Sequence, residues 1–277
     1  VGKSTLVNAL VGEKISIVSA VPQTTRNRIR GICNTSGAQV VLLDTPGIHR
    51  PLHRMNRKMV DSALDAGSGV DLIYLMVDAE GIGPGDRFVI TTLRADGPPV
   101  FLVLNKVDKV RRTALLPMLE QAAAQHPFAE LIPVSAKTGE SVERLLQETV
   151  KRMPEGPPLF APDMMTDQSE RFLVAEIVRE KVFLLTRKEI PHSTAVLVEL
   201  WEETEDQIRI EATVIVEKDN QKGILIGRGG SMLKRIGTDA RADIEKLLGR
   251  HIFLALHVKV SQRWRESPVV LEQIGLL

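Results

Sequence analysis

Cysteine is almost missing from this chain: of 277 residues, only Cys33 carries a thiol. A single cysteine excludes an internal disulfide and a thiolate metal cluster, and fits a reducing cytosol. Cys33 sits in a strand-like run, which reads as a half-buried thiol rather than a nucleophile. Aromatic residues are also scarce, at 4%, so a broad aromatic stacking platform for nucleic acid is not expected. No apolar run reaches the roughly 18 to 20 residues that span a bilayer. No signal peptide is visible, in a sequence that opens at Val1 rather than Met. Excess charge is lacking too. The formal net charge is +1, so the total names no partner and any nucleic-acid signal must lie in its distribution. What is present is ordinary: 43% hydrophobic and 26% charged residues, in a length suited to about two domains.

The apolar pattern changes along the chain. Residues 4–12 read as a helix with Leu6, Ala9 and Leu10 on one face. A polar loop follows over 13–27. Arg28–Thr35 and Gln39–Asp44 read as paired strands with Ser36-Gly37 near the turn. A basic stretch over 52–67 is expected to be helical. Leu72–Asp78, Val100–Leu104 and Leu131–Val134 are short, nearly continuous apolar runs, as strands buried on both faces should be. Helical patterns near 85–95, 113–125 and 141–152 separate them. Such alternation predicts an α/β doubly wound parallel sheet. The pattern breaks at Met153-Pro154-Glu155-Gly156-Pro157-Pro158 and Ala161-Pro162, a proline-rich, stiff connector. This places a first domain at 1–153, a linker at 154–169 and a second domain at 170–277. The second half reads helix 170–185, strands 194–202 and 207–217, a turn at Gly227–Gly230, helix 231–248 and strand 251–261. That is a smaller α+β domain.

Four segments of the first half carry chemistry, three of them at strand ends within this sequence. Val1-Gly2-Lys3-Ser4-Thr5 is the back half of a phosphate loop, G-x-x-x-x-G-K-[ST]. Gly2 lets the backbone approach a phosphate, Lys3 sets a charge on the β- and γ-phosphates, and Ser4 offers a hydroxyl to Mg²⁺. The helix that starts there aims its N–H groups and dipole at the anion. The loop's first glycine and the strand feeding it are expected ahead of Val1. These 277 residues alone are therefore expected to fold poorly in their first half and to bind GTP weakly. Asp44-Thr45-Pro46-Gly47 ends the next strand. Asp44 can hold Mg²⁺ through water, and the Gly47 N–H can bond a γ-phosphate only while that phosphate is present. Asn105-Lys106-Val107-Asp108 follows another apolar strand. Asp108 accepts from guanine N1–H and its 2-amino group, a pair of donors that adenine lacks. Asn105 would tie neighbouring loops together, and the Lys106 stem can lie over the base. Ser135-Ala136-Lys137 follows the last strand and could add a backbone N–H to guanine O6.

The charge concealed in the total emerges in the second half. Residues 163–217 hold six Lys/Arg against thirteen Asp/Glu, whereas residues 218–265 hold eleven against four. The basic stretch surrounds Ile224-Leu225-Ile226-Gly227-Arg228-Gly229-Gly230, which resembles the G-x-x-G loop of a KH domain. Such a loop lets two helices meet closely while a single-stranded backbone passes over it, with about four unstacked bases in the adjoining groove. Gly227, Gly229 and Gly230 would form the loop, and Arg228, Lys222, Lys234, Arg235 and Lys259 are phosphate-contact candidates. Trp264 could stack on a base, but packing is the safer reading.

GKST, then T-R, DTPG, NKVD and SAK in this order resemble the P-loop GTPases of the translation-factor class. With the second half, and with Pro22–Gly31 and Asp167–Lys181, the whole chain resembles the Era-type bacterial GTPases, which carry a C-terminal KH domain. The resemblance implies GTP and GDP as ligands, Mg²⁺ as cofactor, and a switch-loop threonine on the metal. The T-R-x-R spacing assigns that threonine to Thr25, with Thr24 second. It implies a role in ribosome assembly through single-stranded small-subunit ribosomal RNA near its 3′ end, with the small subunit or its precursor as partner. A cytoplasmic monomer is expected, with peripheral contact at the inner face of the cell membrane as a family trait. Some relatives use K⁺ through an asparagine that would precede Val1. Ile48 stands where many GTPases carry a water-orienting glutamine, and isoleucine makes no hydrogen bond. Slow intrinsic turnover follows, at or below about 10⁻² s⁻¹. Arg26, Arg50 and Arg54 are weighed as charge donors, and His49 and His53 read as solvated. Two other readings stay open: an RNA-binding module with a nucleotide domain as scaffold, and a GTPase acting on a protein or membrane partner.

Overall fold

The computed structural model describes residues 1–18, 25–45, 69–93, 96–186 and 190–276. They fall into two compact units. Among the described residues, the first unit holds 1–16, 28–45, 69–93 and 96–167, and the second holds 17–18, 25–27, 168–186 and 190–276.

In the first unit, helix α1 (Lys3–Val11) buries Leu6, Val7 and Leu10. Strands β1 (Ile29–Asn34) and β2 (Gln39–Asp44) form an antiparallel hairpin. Strands β3 (Ile73–Asp78), β4 (Val100–Asn105) and β5 (Glu130–Val134) form a parallel sheet in the order β3-β4-β5. Helices α2 (Pro84–Thr92), α3 (Arg112–Ala123) and α4 (Val142–Val150) alternate with them, as the pattern predicts. Every residue of β4 is buried, which is why its sequence runs apolar without alternation. Leu75, Val77, Leu102, Leu104 and Ile90 form the core on one side. Cys33 is buried rather than half-buried; its thiol donates to the Leu10 carbonyl at 3.0 Å, and burial raises its pKa.

The proline-rich connector is not a free spacer. The Gln39 side-chain oxygen accepts from the N–H groups of Leu159 and Phe160 at 2.8 and 2.9 Å, and its amide donates back to the Phe160 carbonyl at 3.0 Å. The Ile32 N–H donates to the Met165 carbonyl at 2.8 Å, and Arg30 pairs with Asp167. An edge strand leaves unpaired backbone groups, and the connector satisfies part of that edge. The boundary between the units therefore falls at Asp167/Gln168.

The second unit runs α5 (Glu170–Leu185), β6 (Ala195–Glu203), β7 (Ile208–Val216), α6 (Asp219–Ile226), α7 (Ser231–Leu248) and β8 (Ile252–Val260), then a short α8 (Pro268–Gln273) that the sequence pattern does not signal. β6 pairs antiparallel with β7, and β8 adds parallel to β7. Val174, Val178, Ile210, Val214 and Ile236 lie at the centre of its core. Ser169 caps α5 by accepting from the Phe172 N–H. Helix α5 is expected to be amphipathic, yet it also buries Arg179, Glu180 and Lys181. Arg179 is bidentate to Glu176 at 2.5 and 2.6 Å, and Lys181 pairs with Asp243 at 2.5 Å. No helix among the described residues is long and apolar enough to cross a membrane.

Candidate functional site

The parallel strands deliver their last residues to one edge. β3 ends at Asp78, β4 at Asn105 and β5 at Val134, next to Ser135. Asn105 is 2% exposed and joins two loops. Its amide donates to the Val1 carbonyl at 2.8 Å, and its oxygen accepts from the Ala136 N–H at 2.9 Å. The Asp108 carboxylate accepts from the Ser135 hydroxyl at 2.6 Å, which leaves its remaining lone pairs for a ligand. Lys106 has a left-handed backbone, φ 68°, and its ammonium pairs with Asp78. Burial would raise the Asp78 carboxyl, but the Lys106 bond and the Glu80 N–H outweigh it and hold it below the usual value. Asp78 is a site residue that the sequence reading missed. Its signal was available: an acid that ends an apolar strand parallel to the strand ending in Asn105-Lys106. Lys137 follows in the same loop and is exposed.

Gly2 enters α1 at φ 95°, and a Cβ there would lie 2.6 Å from the Asn105 amide nitrogen. Only glycine fits, and the helix N-terminus beyond it is of the kind that favours an anion. Lys3 is partly buried; burial lowers its pKa and the Asp44 carboxylate raises it. That places Lys3 and Asp44 within electrostatic reach of each other. Asp44 is 1% exposed at the end of β2. Ser4 and Thr5 occupy the first turn of α1. A cramped glycine, a helix start, a lysine and a buried carboxylate are the donor set that a nucleotide phosphate with Mg²⁺ requires, so the residues fit that pair. No cluster of three or more His, Cys, Asp or Glu occurs among the described residues. Thr24, Gly47, Ile48, His49, Arg50, His53, Arg54 and the basic stretch 52–67 lie outside the described residues. Thr25 is buried in the second unit. Arg26 lies beside it, 5% exposed, with its guanidinium on the carbonyls of Thr194 and Pro191. Arg26 is therefore not an exposed charge donor.

In the second unit, Gly227 ends α6 and Gly230 precedes α7. The loop between them adjoins a groove of about 390 Å³ lined by Gly230, Lys234, Gly237, Arg241, Phe253 and Leu254, among others. Lys222 lies on α6, Arg228 at the exposed loop tip, Lys234 and Arg235 exposed on α7, and Lys259 exposed on β8. Lys234 faces the groove. The sequence reading missed Arg241, two turns further along the same helix, and Phe253, 51% exposed. Trp264 is instead fully buried with Ala195, Ile215 and Leu271, and its indole N–H donates to the Ser193 carbonyl at 2.8 Å.

The 50S ribosome-binding GTPase family model matches residues 1–106, and a KH domain model matches 189–265. GTPase Era of Syntrophus aciditrophicus is 51% identical over 99% of this chain and 91% of its own length; GTPase Era of Geobacter metallireducens is 48% identical over 99% and 93%. The chain belongs to the GTPase Era family. Two solved Era structures match nearly the whole fold. One, with MgGDPNP and nucleotides 1506–1542 of 16S ribosomal RNA, is 40% identical with a TM-score of 0.96, over 100% of this chain and 95% of that one. The other, an Aquifex aeolicus variant with GDP and AlF₄⁻, is 39% identical with a TM-score of 0.95, over 99% and 95%. Family membership makes the first unit an α/β P-loop GTPase domain and the second a KH domain.

Proposed function

We propose that this chain is a GTP-driven switch that binds single-stranded RNA at the 3′ end of small-subunit ribosomal RNA during assembly. The observation that carries this reading is the pairing of a guanine-type strand edge in one unit with a G-x-x-G groove in the other, in a family whose solved relative holds both ligands. The wider family name speaks of the 50S particle. The 16S fragment in a relative matched end to end favours the small subunit.

Asp108 selects guanine, and Ser135 fixes its carboxylate. Asn105 holds the phosphate loop and the 135–137 loop in one arrangement. Lys3 neutralises charge on the β- and γ-phosphates. Ser4, Asp44 and Thr25 are the proposed magnesium ligands, and Mg²⁺ when bound supplies further neutralisation of phosphate charge. Gly47 is the proposed sensor of the γ-phosphate. Ile48 cannot orient water, so hydrolysis without a partner is slow, at or below about 10⁻² s⁻¹. Lys222, Arg228, Lys234, Arg235 and Lys259 are proposed to meet RNA phosphates. A reducing cytosol suits the lone thiol, and peripheral membrane contact remains a family expectation.

The test is fluorescence anisotropy of the full-length protein with a 3′-terminal 16S oligonucleotide, in GDP and in GDPNP. Tighter binding with GDPNP is expected. Equal affinities would remove the switch and leave an RNA-binding module on a scaffold. Tighter binding to a 23S fragment would overturn the small-subunit assignment.

A further inference from the structure

The ends of β3 and β4 are tied together where the nucleotide edge begins. Asp78 and Asn105 stand opposite each other in the parallel register, and the Ala79 N–H donates to the Asn105 carbonyl at 2.8 Å. One Asp78 carboxylate oxygen accepts from the Glu80 N–H at 3.2 Å, and the Gly81 N–H donates to the Asp78 carbonyl at 3.0 Å. The acid thus closes its own turn, as aspartate readily does. Its other oxygen takes the Lys106 ammonium. The Asp78 and Lys106 side chains are 23% and 31% exposed, so water and salt screen this pair less than an open surface pair.

Lys106 is the residue at which the chain leaves β4. Its backbone is left-handed, φ 68° and ψ 36°, and it is one of three non-glycine residues at positive φ among the described residues. That conformation is disfavoured for a residue with a Cβ, so other contacts must offset it. The turn that follows, Val107–Lys109, closes with the Lys109 N–H on the Lys106 carbonyl at 3.0 Å and carries Asp108 to the Ser135 hydroxyl. Holding the Lys106 ammonium from β3 therefore helps to hold the kink that presents Asp108.

The pairing also decides which part of Lys106 a ligand meets. Lysine has a flexible four-carbon stem and a strongly hydrated head. An ammonium with no acid beside it would be drawn to phosphate charge, the role expected of Lys3. Asp78 instead neutralises the Lys106 head at the sheet edge. What remains for a ligand is the apolar stem, the part that can cover a purine ring. A stem fixed beforehand spares the ligand the entropy of ordering it.

We propose that Asp78 is a positioning residue for guanine-nucleotide binding: it anchors the Lys106 head from β3, so that the stem is preset over the base and the turn bearing Asp108 is held. This rests on the reading of Asn105–Asp108 as the guanine site. Asp78 acts through Lys106 and touches no ligand itself.

The experiment uses full-length protein and the variants Asp78→Asn, Asp78→Glu, Lys106→Met and the Asp78→Asn/Lys106→Met pair. It measures release of a fluorescent GDP by stopped flow, and affinities for GDP, GDPNP and ADP by calorimetry. Asn keeps an oxygen for the Glu80 N–H but loses the charge that holds the ammonium. Asp78→Asn should therefore weaken GDP and GDPNP alike by about fivefold, mostly through faster release. Asp78→Glu keeps the charge and should recover part of the loss. Lys106→Met keeps an unbranched stem without the charge, and in that background Asp78→Asn should add nothing. Wild-type GDP release in Asp78→Asn would overturn the proposal. So would the same loss in the Lys106→Met background, which would mark damage to the sheet edge rather than loss of the lysine's anchor. A loss confined to GDPNP would put the Lys106 head on the γ-phosphate and overturn it too. Wild-type protein that binds ADP as tightly as GDP would instead overturn the guanine reading, and the proposal with it.

Discussion

Gly227 and Gly229 stand two residues apart in one loop, and their surroundings predict different losses. Gly227 sits at φ 71°, ψ 176°, a region almost closed to residues with a Cβ, where strain costs about 1–3 kcal/mol. A methyl there would also fall 2.8 Å from the Met232 Cβ and 2.9 Å from its backbone nitrogen. Relieving that contact means moving the start of α7, at a further ~1–3 kcal/mol. Gly227→Ala should therefore lower the unfolding free energy by roughly 2–6 kcal/mol. Gly229 has an ordinary left-handed conformation, φ 57° and ψ 26°, with nothing within 4 Å of a built Cβ. Its cost of ~1–2 kcal/mol is partly offset by about 0.4–1 kcal/mol from a stiffer unfolded chain, so Gly229→Ala should lose at most ~1.5 kcal/mol. On the proposed RNA path, the backbone crosses the open space over Gly229, so a methyl there should weaken RNA binding about tenfold, near 1.4 kcal/mol. The chain's two tryptophans, Trp201 and Trp264, both belong to the second unit. Urea unfolding followed by tryptophan emission therefore reports on that unit alone, and anisotropy of a labelled oligonucleotide reports the binding. Equal destabilisation by the two substitutions, or wild-type RNA affinity in Gly229→Ala, would refute the reasoning.

Three other outcomes are expected. Asp108→Asn replaces an acceptor with an amide while still accepting from Ser135, so the preference should shift from guanine to xanthine nucleotides; competition binding with GTP and XTP checks it, and retained GTP preference counts against the assignment. Asn105→Ala removes both loop ties from a buried site, at roughly 2–4 kcal/mol, and should weaken GDP and GTP alike in calorimetry because neither tie depends on the γ-phosphate. Tyr74 is the chain's single tyrosine, and burial pushes its phenol from 10.0 up to about 12, partly opposed by its bond with Thr149. Its raised folded value means that this contribution is whole below pH 10 and is lost as pH rises toward 12, by about 2–3 kcal/mol; phenolate absorbance near pH 10 in folded protein would contradict it.

Much of the architecture was legible before any coordinates. Period-2 and period-3.6 patterns depend on neighbours within one turn or one strand, and these placed β1 to β8 and the longer helices within a few residues. The nucleotide edge was legible for a related reason. In a parallel sheet the chemistry follows the strand ends, and DTPG, NKVD and SAK announce those ends themselves. The KH loop was equally local, since closely spaced glycines mark a turn with positive φ angles. Asp78 and Phe253 were missed because an acid at a strand end, or an aromatic on a strand, has no meaning until its neighbour across the sheet is known.

By itself, then, the sequence determined the two fold classes, the guanine-type motif set, the basic stretch around Gly227–Gly230, and the exclusion of a disulfide within these 277 residues. Only the tertiary structure decided which residues turn inward. It buried Arg26 against Trp264 and the 190–194 turn, and enclosed Arg179, Glu180 and Lys181 on a helix expected to show a polar face. It drew the connector along the hairpin, through Ile32 of β1 and Gln39 of β2, and it gave residues 17–18 and 25–27 to the second unit although the chain places them inside the first. The physical reason is distance along the chain. Arg26 and Thr194 are separated by 168 positions, and Asn27 and Ile274 by 247. No local pattern encodes a contact of that span, because whether a charge stays in water depends on what the completed fold brings to it.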